Sequence, residues 1–128
     1  MFNHFDHIFF DVINNNSFPP TDIFETKDGK LKFRFAVAGY SKEDITIDFK
    51  GNKLTVKSVN LNKEPEDENI SGYFEQRIAK RRFEKSWVIK DSKYTNKDNI
   101  SASMEDGILE IVIEKDETMQ NEGLISIS

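Results

Sequence analysis

Cysteine is absent from these 128 residues. That excludes a disulfide framework and thiol chemistry, and it fits a reducing, cytoplasmic setting. No apolar run approaches the ~18 residues of a membrane-spanning helix. The start of the chain lacks the basic residues and apolar stretch that mark a secretory signal. Histidine is scarce: His4 and His7 are the only two. Their i, i+3 spacing beside Asp6 and Asp11 would suit a metal on a helix, but no closed ligand set surrounds them. Both precede the part of the chain that reads as a folded domain, which leaves that domain without its usual general base. No serine lies in a G-x-S-x-G elbow, and Gly51-Asn52-Lys53 lacks the spacing of a phosphate-cradling loop. Neither a catalytic centre nor a metal nor a cofactor is expected. Positive charge is also short. The 18 Lys+Arg against 23 Asp+Glu leave a net charge of −5, which argues against nucleic acid as a main partner. The basic cluster Lys80, Arg81, Arg82 and Lys85 falls on both faces of an extended segment, so it forms no one-sided footprint.

What is present is one domain with tails. The length suits a single modest core, while 37% apolar and 32% charged residues imply solvated segments around it. Eleven phenylalanines stand against one tryptophan and three tyrosines, and several of them lie at the start. In residues 1–20, Phe2, Phe5, Phe9 and Val12 follow helical spacing, with Ile8 and Ile13 beside them. The run Asn14-Asn15-Asn16-Ser17 and then Pro19-Pro20 end the pattern. The expectation is a short amphipathic helix or a mobile arm, too short to be stable alone. Its apolar face either packs on its own domain or binds other chains.

Residues 21–115 read as strands. Leu31, Phe33, Phe35 and Val37 alternate with Lys32, Arg34, Ala36 and Ala38, a period of two. Ile45, Ile47 and Phe49 repeat it, and a turn at Gly51-Asn52 leads to Leu54 and Val56 on the inward face. DIFET (22–26) suits a short edge strand. The acidic stretch 60–72 is a loop, GYFEQRIAKRRFEKSWVI a long extended segment, and NISAS and ILEIVIEK are strands joined through Glu105-Asp106-Gly107. Many short strands without an internal helical pattern indicate an antiparallel sandwich or barrel. Residues 116–128 are a polar tail closed by Leu124, Ile125 and Ile127. There is no internal repeat.

Assembled in order, these residues resemble the small heat-shock protein (α-crystallin domain) family. The likeness runs through FPPTDIFET, FAVAGYSKEDITIDFKGNKLTVKS and IAKRRFEKSWVI. It is most specific at ASMEDGILEIVIEK, where Ala102, Gly107 and Leu109 match the signature A-x-x-x-(N/D)-G-x-L, and the tail Ile125-Ser126-Ile127 matches an I-x-I motif. The short connection between the third and fourth strands and the long loop at 59–72 resemble bacterial or plant members. The resemblance implies an immunoglobulin-like antiparallel β-sandwich and an ATP-independent holdase that keeps partly unfolded client proteins soluble. It also implies a homodimer built by exchange of the loop carrying the sixth strand, assembling into larger homo-oligomers. Tyr73, Phe74 and Lys85 would lie at the dimer interface; the family usually has arginine where Lys85 stands, and lysine cannot form arginine's bidentate fork. Apart from the resemblance, Phe2, Phe5, Phe9 and Phe10 form an apolar face expected to bind exposed hydrophobic surface of clients. A non-chaperone adaptor of the same fold, binding a folded partner, is the alternative; such adaptors usually lack the tail motif and the phenylalanine-rich arm found here.

The tail has a physical reading of its own. In an extended segment Ile125 and Ile127 point the same way. Sheet edges need covering, and a strand-like tail can add to one with alternate side chains in pockets. The acceptors implied by the resemblance are ITIDF and NISAS, through Ile45, Ile47, Ile100 and Ala102.

Overall fold

The alternation of large apolar and charged residues along the chain is resolved as two antiparallel sheets packed face to face. The computed structural model describes residues 18–59, 71 and 81–118, together with the backbone of 9–13. The strands are β1 (Phe9–Ile13), β2 (Thr21–Glu25), β3 (Leu31–Ala36), β4 (Ile45–Lys50), β5 (Lys53–Ser58), β6 (Glu84–Ile89), β7 (Ile100–Glu105) and β8 (Ile108–Ile113). One sheet has the order β1-β6-β5-β4, the other β2-β3-β8-β7. The expected all-β sandwich is therefore found, with single 3-10 turns as its only helical pieces among the described residues.

The core follows from the period of two. Leu31, Phe33 and Phe35 of β3 are fully buried while Arg34 and Ala36 are exposed. Leu54 and Val56 of β5, Trp87 and Ile89 of β6, and Leu109, Ile111 and Ile113 of β8 complete it. The indole of Trp87 joins the layers: its ring lies 5.1 Å from Phe33 and 5.7 Å from Phe35, within the range of favourable aromatic pairs. Tyr94 closes one end. Its hydroxyl lies 2.7 Å from both Glu25 Oε2 and the Gly29 carbonyl oxygen. Burial first, and then the Glu25 contact, push its pKa up, so the phenol stays neutral.

The hairpin that carries the sequence signature shows why those residue types stand there. Asp106 and Gly107 connect β7 to β8, and both have positive φ, 53° and 78°. That is the twist a two-residue hairpin needs. A Cβ on Gly107 would lie 3.3 Å from Ala38, and the Gly107 carbonyl oxygen accepts from the Val37 amide at 2.8 Å. Leu109 then enters the core.

Over Phe9–Ile13 the segment expected as a short amphipathic helix or a mobile arm is neither. Phe9–Ile13 is a strand, not part of a helix: it pairs antiparallel with β6, Phe10 opposite Val88 and Val12 opposite Trp87, with a register shift between Phe10 and Val12. The physical reason is competition. Five residues cannot nucleate a stable helix, aromatic and β-branched residues favour strands, and β6 offers an otherwise open edge.

Candidate peptide-binding groove

The two sheets end, on the same side of the sandwich, in the edge strands β4 and β7. Nothing among the described elements covers the space between them. Ile45, Ile47 and Phe49 point inward by parity, yet all three remain half-buried, whereas Leu54 and Val56 on the neighbouring strand are fully buried. The result is a groove of about 330 Å³ lined by Lys42, Ile45, Ile47, Ala102, Ser103, Met104 and Leu109.

Each wall has a local cause. Ser41 and Asp44 form a capping box around a single 3-10 turn, with Ser41 N donating to Asp44 Oδ2 at 2.9 Å. This fixes the start of β4 and sets Lys42 at the groove's rim. Register with β5 is continuous from Ile45 to Lys50, so Ile45 and Ile47 share a face. On the other wall, Ala102 stands opposite Ile111 and Met104 opposite Leu109. A small residue at 102 leaves room that a larger one would fill, and Met104 adds a flexible, adaptable surface.

The sequence-derived residues are thus partly gathered. Ile45, Ile47, Ala102 and Leu109 meet in the groove. Ile100 lies on the same strand but is half-buried against the core, outside the lining set. Lys42 and Met104 were missed. The strand was expected to stop at Ser103; carrying the parity of Ala102 on by two residues would have found Met104. Phe9 and Phe10 lie in β1. Phe2, Phe5, Tyr73, Phe74, Ile125, Ile127, and the histidines His4 and His7 lie outside the described residues.

Lys85 is buried, 8% exposed. Its Nζ donates to the Pro19 carbonyl oxygen at 3.1 Å and to Thr21 Oγ1 at 2.9 Å, and lies 5.8 Å from the Trp87 ring centroid. Desolvation lowers its pKa. The other exterior surface is differently built. On β3 and β8, Glu110 takes Arg34 Nε at 2.6 Å and Lys32 Nζ at 3.6 Å. The Arg34 hydrogen bond, partly opposed by desolvation, holds its carboxyl below the usual range. That charged ladder keeps the sheet face wet, in contrast to the apolar groove. Among the described residues no acidic or histidine cluster could hold a metal, and no helix is long and apolar enough to cross a membrane.

An antiparallel sandwich with an apolar groove between edge strands and an Asp-Gly hairpin locked against Ala38 is the architecture of an α-crystallin-type domain. The Hsp20/alpha crystallin family profile matches residues 23–128, and the chain belongs to that family. It is 28% identical over 106 residues to the small heat shock protein IbpB of Klebsiella pneumoniae, covering 83% of this chain and 69% of that one. The IbpB protein of Salmonella paratyphi B is 29% identical over 104 residues, covering 80% and 67%. Among solved structures, heat shock protein 16.0 from Schizosaccharomyces pombe superposes with a TM-score of 0.61 at 26% identity, covering 91% of this chain and 87% of that one. A small heat-shock protein from Xylella fastidiosa gives 0.60 at 20% identity, covering 86% and 95%, a likeness of fold. Family membership makes this a chaperone-class protein and not an enzyme.

Proposed function

We propose that the chain is an ATP-independent holdase that captures partly unfolded cytoplasmic proteins and keeps them soluble. The observation that carries this reading is the open groove between β4 and β7, an apolar slot bounded by Ile45, Ile47, Ala102, Met104 and Leu109 in a protein of this family. The groove suits the strand-like tail of a neighbouring subunit, with Ile125 and Ile127 seated side by side. Burying two isoleucines yields about 3–6 kcal/mol gross, offset by several kcal/mol of tail ordering. Each link is weak, and many together hold an assembly that can open when clients appear.

Homodimers are the building block in this reading, made through Tyr73, Phe74 and the surroundings of Lys85. Phe2, Phe5, Phe9 and Phe10 supply apolar surface to clients. The test is light scattering of a heat-labile protein at its unfolding temperature, with and without this chain and without ATP. Suppressed scattering at near-equimolar chain supports the holdase. Unchanged scattering returns the fold to the adaptor alternative.

A further inference from the structure

The β6 edge is covered by a segment of the chain itself. β6 has one neighbour in the domain proper, β5, and its other edge is filled by β1. The cover is short. It spans Phe9–Ile13 and its register breaks between Phe10 and Val12, so the hydrogen-bonded ladder is interrupted within a single short strand. Beneath it the edge is mostly apolar: Trp87 and Ile89 are buried and Val88 is half-buried, with the buried Ser86 opposite Ile13. The tether is fixed close by. Pro19, at the far end of the connection, is buried, and its carbonyl oxygen accepts from Lys85 of β6 itself. A detached β1 therefore stays near the edge at high effective concentration.

The edge thus displays its own recognition rule. It accepts an extended, phenylalanine-rich, β-branched segment, FFDVI, by strand addition. Unfolded polypeptides expose segments of that composition, and backbone pairing is tolerant of sequence. We propose that β1 is a displaceable cover, and that an extended apolar segment of an unfolded polypeptide adds to β6 in its place. The inference rests on the holdase reading and gives clients a strand-pairing site distinct from the β4–β7 groove, which that reading assigns to a neighbour's tail. The cover acts as a built-in competitor: apparent affinity for a client segment falls in proportion to the fraction of molecules with β1 in place.

The absence of cysteine permits a reversible test. Phe10 and Val88 stand opposite in the register, so the double variant Phe10→Cys/Val88→Cys should close one bridge that locks β1 down. The probe is a fluorescein-labelled peptide of sequence HIFFDVINN, followed by anisotropy. With the bridge closed, binding should weaken about tenfold or more, because the open fraction collapses, and a reductant should restore it in the same sample. Equal binding in both states, with the bridge shown by mass to lie within one chain, overturns the proposal. So does a bridge between two chains, since the cover would then belong to a second copy, or failure of the bridge to form. Aggregation suppression by the unmodified chain is measured alongside. Its absence sinks the holdase reading itself, whereas suppression that the lock leaves unchanged sinks only the displaceable cover.

Discussion

Lys85 Nζ, on the strand that ends one sheet of the domain proper, donates to the Pro19 carbonyl oxygen at 3.1 Å, just ahead of the strand that begins the other. The second donor contact, to Thr21 Oγ1 at 2.9 Å, lies on β2 itself. A buried ammonium with neutral acceptors is an electrostatic cost that geometry only partly offsets. Its value lies in fixing how β6 and β2 face one another on the side of the sandwich away from the groove, and where the connection to β1 begins.

The cost has a pH signature. Desolvation lowers the folded pKa of Lys85 below its ordinary 10.5, so the unfolded chain binds more protons in the interval between the two values. Stability therefore rises with pH through that interval and is lowest below the folded pKa, where the full penalty applies. Lys85→Met removes the titrating group. The thermal midpoint of the parent should climb relative to the variant as the alkaline range below 10.5 is crossed; parallel midpoints would contradict the assigned burial.

The hairpin glycine gives a stability prediction. Gly107 has φ 78°, and an added Cβ would lie 3.3 Å from the Ala38 backbone. Gly107→Ala should cost about 1–2 kcal/mol from the left-handed backbone alone, with crowding added. Urea denaturation measures it. A change below a few tenths would mean that the turn relaxes freely.

Phe33 and Trp87 hold the two layers together, and Phe33 is fully buried. Phe33→Ala should lower stability by about 3–5 kcal/mol, read from the same denaturation curves. For a domain with total stability of ~5–15 kcal/mol, that is enough to threaten folding at growth temperature.

The groove predicts a separation of assembly from folding. Ile47 is half-buried at the edge, so Ile47→Asp leaves a carboxylate that water can reach, and the domain should keep its β-sheet circular dichroism. Replacing Ile125 and Ile127 by glycine should act from the other side. In size-exclusion chromatography with scattering detection, both variants should elute near dimer mass where the parent is larger. A parent already of dimer mass, or variants that keep the parent's mass, would remove the tail from the assembly.

The strands of the domain were legible because their side chains alternate strictly. Leu31-Phe33-Phe35 and Leu109-Ile111-Ile113 have no other consistent reading, and both are buried. Gly107 was legible because a two-residue Asp-Gly turn has few substitutes. β1 was misread because Phe2, Phe5, Phe9 and Val12 fit a helical period equally well; the deciding factor is a free β6 edge, a tertiary fact that no local pattern carries. The groove was half legible. Ile45 and Ile47 announced a face, but which inward residues would stay uncovered depends on the sheet order, and that placed Met104 and Lys42 beside them while setting Ile100 apart. The acceptors of Lys85, Pro19 and Thr21, are 66 and 64 positions away, and no pattern in the sequence links them.

As proposed, this chain holds unfolding proteins in soluble form without ATP. The most direct measurement heats a thermolabile enzyme with the chain, without ATP, removes any precipitate and separates the supernatant by size-exclusion chromatography with scattering detection. The enzyme should co-elute with the chain in a soluble species heavier than either alone. The enzyme found in the pellet, with the chain eluting unchanged, would contradict it.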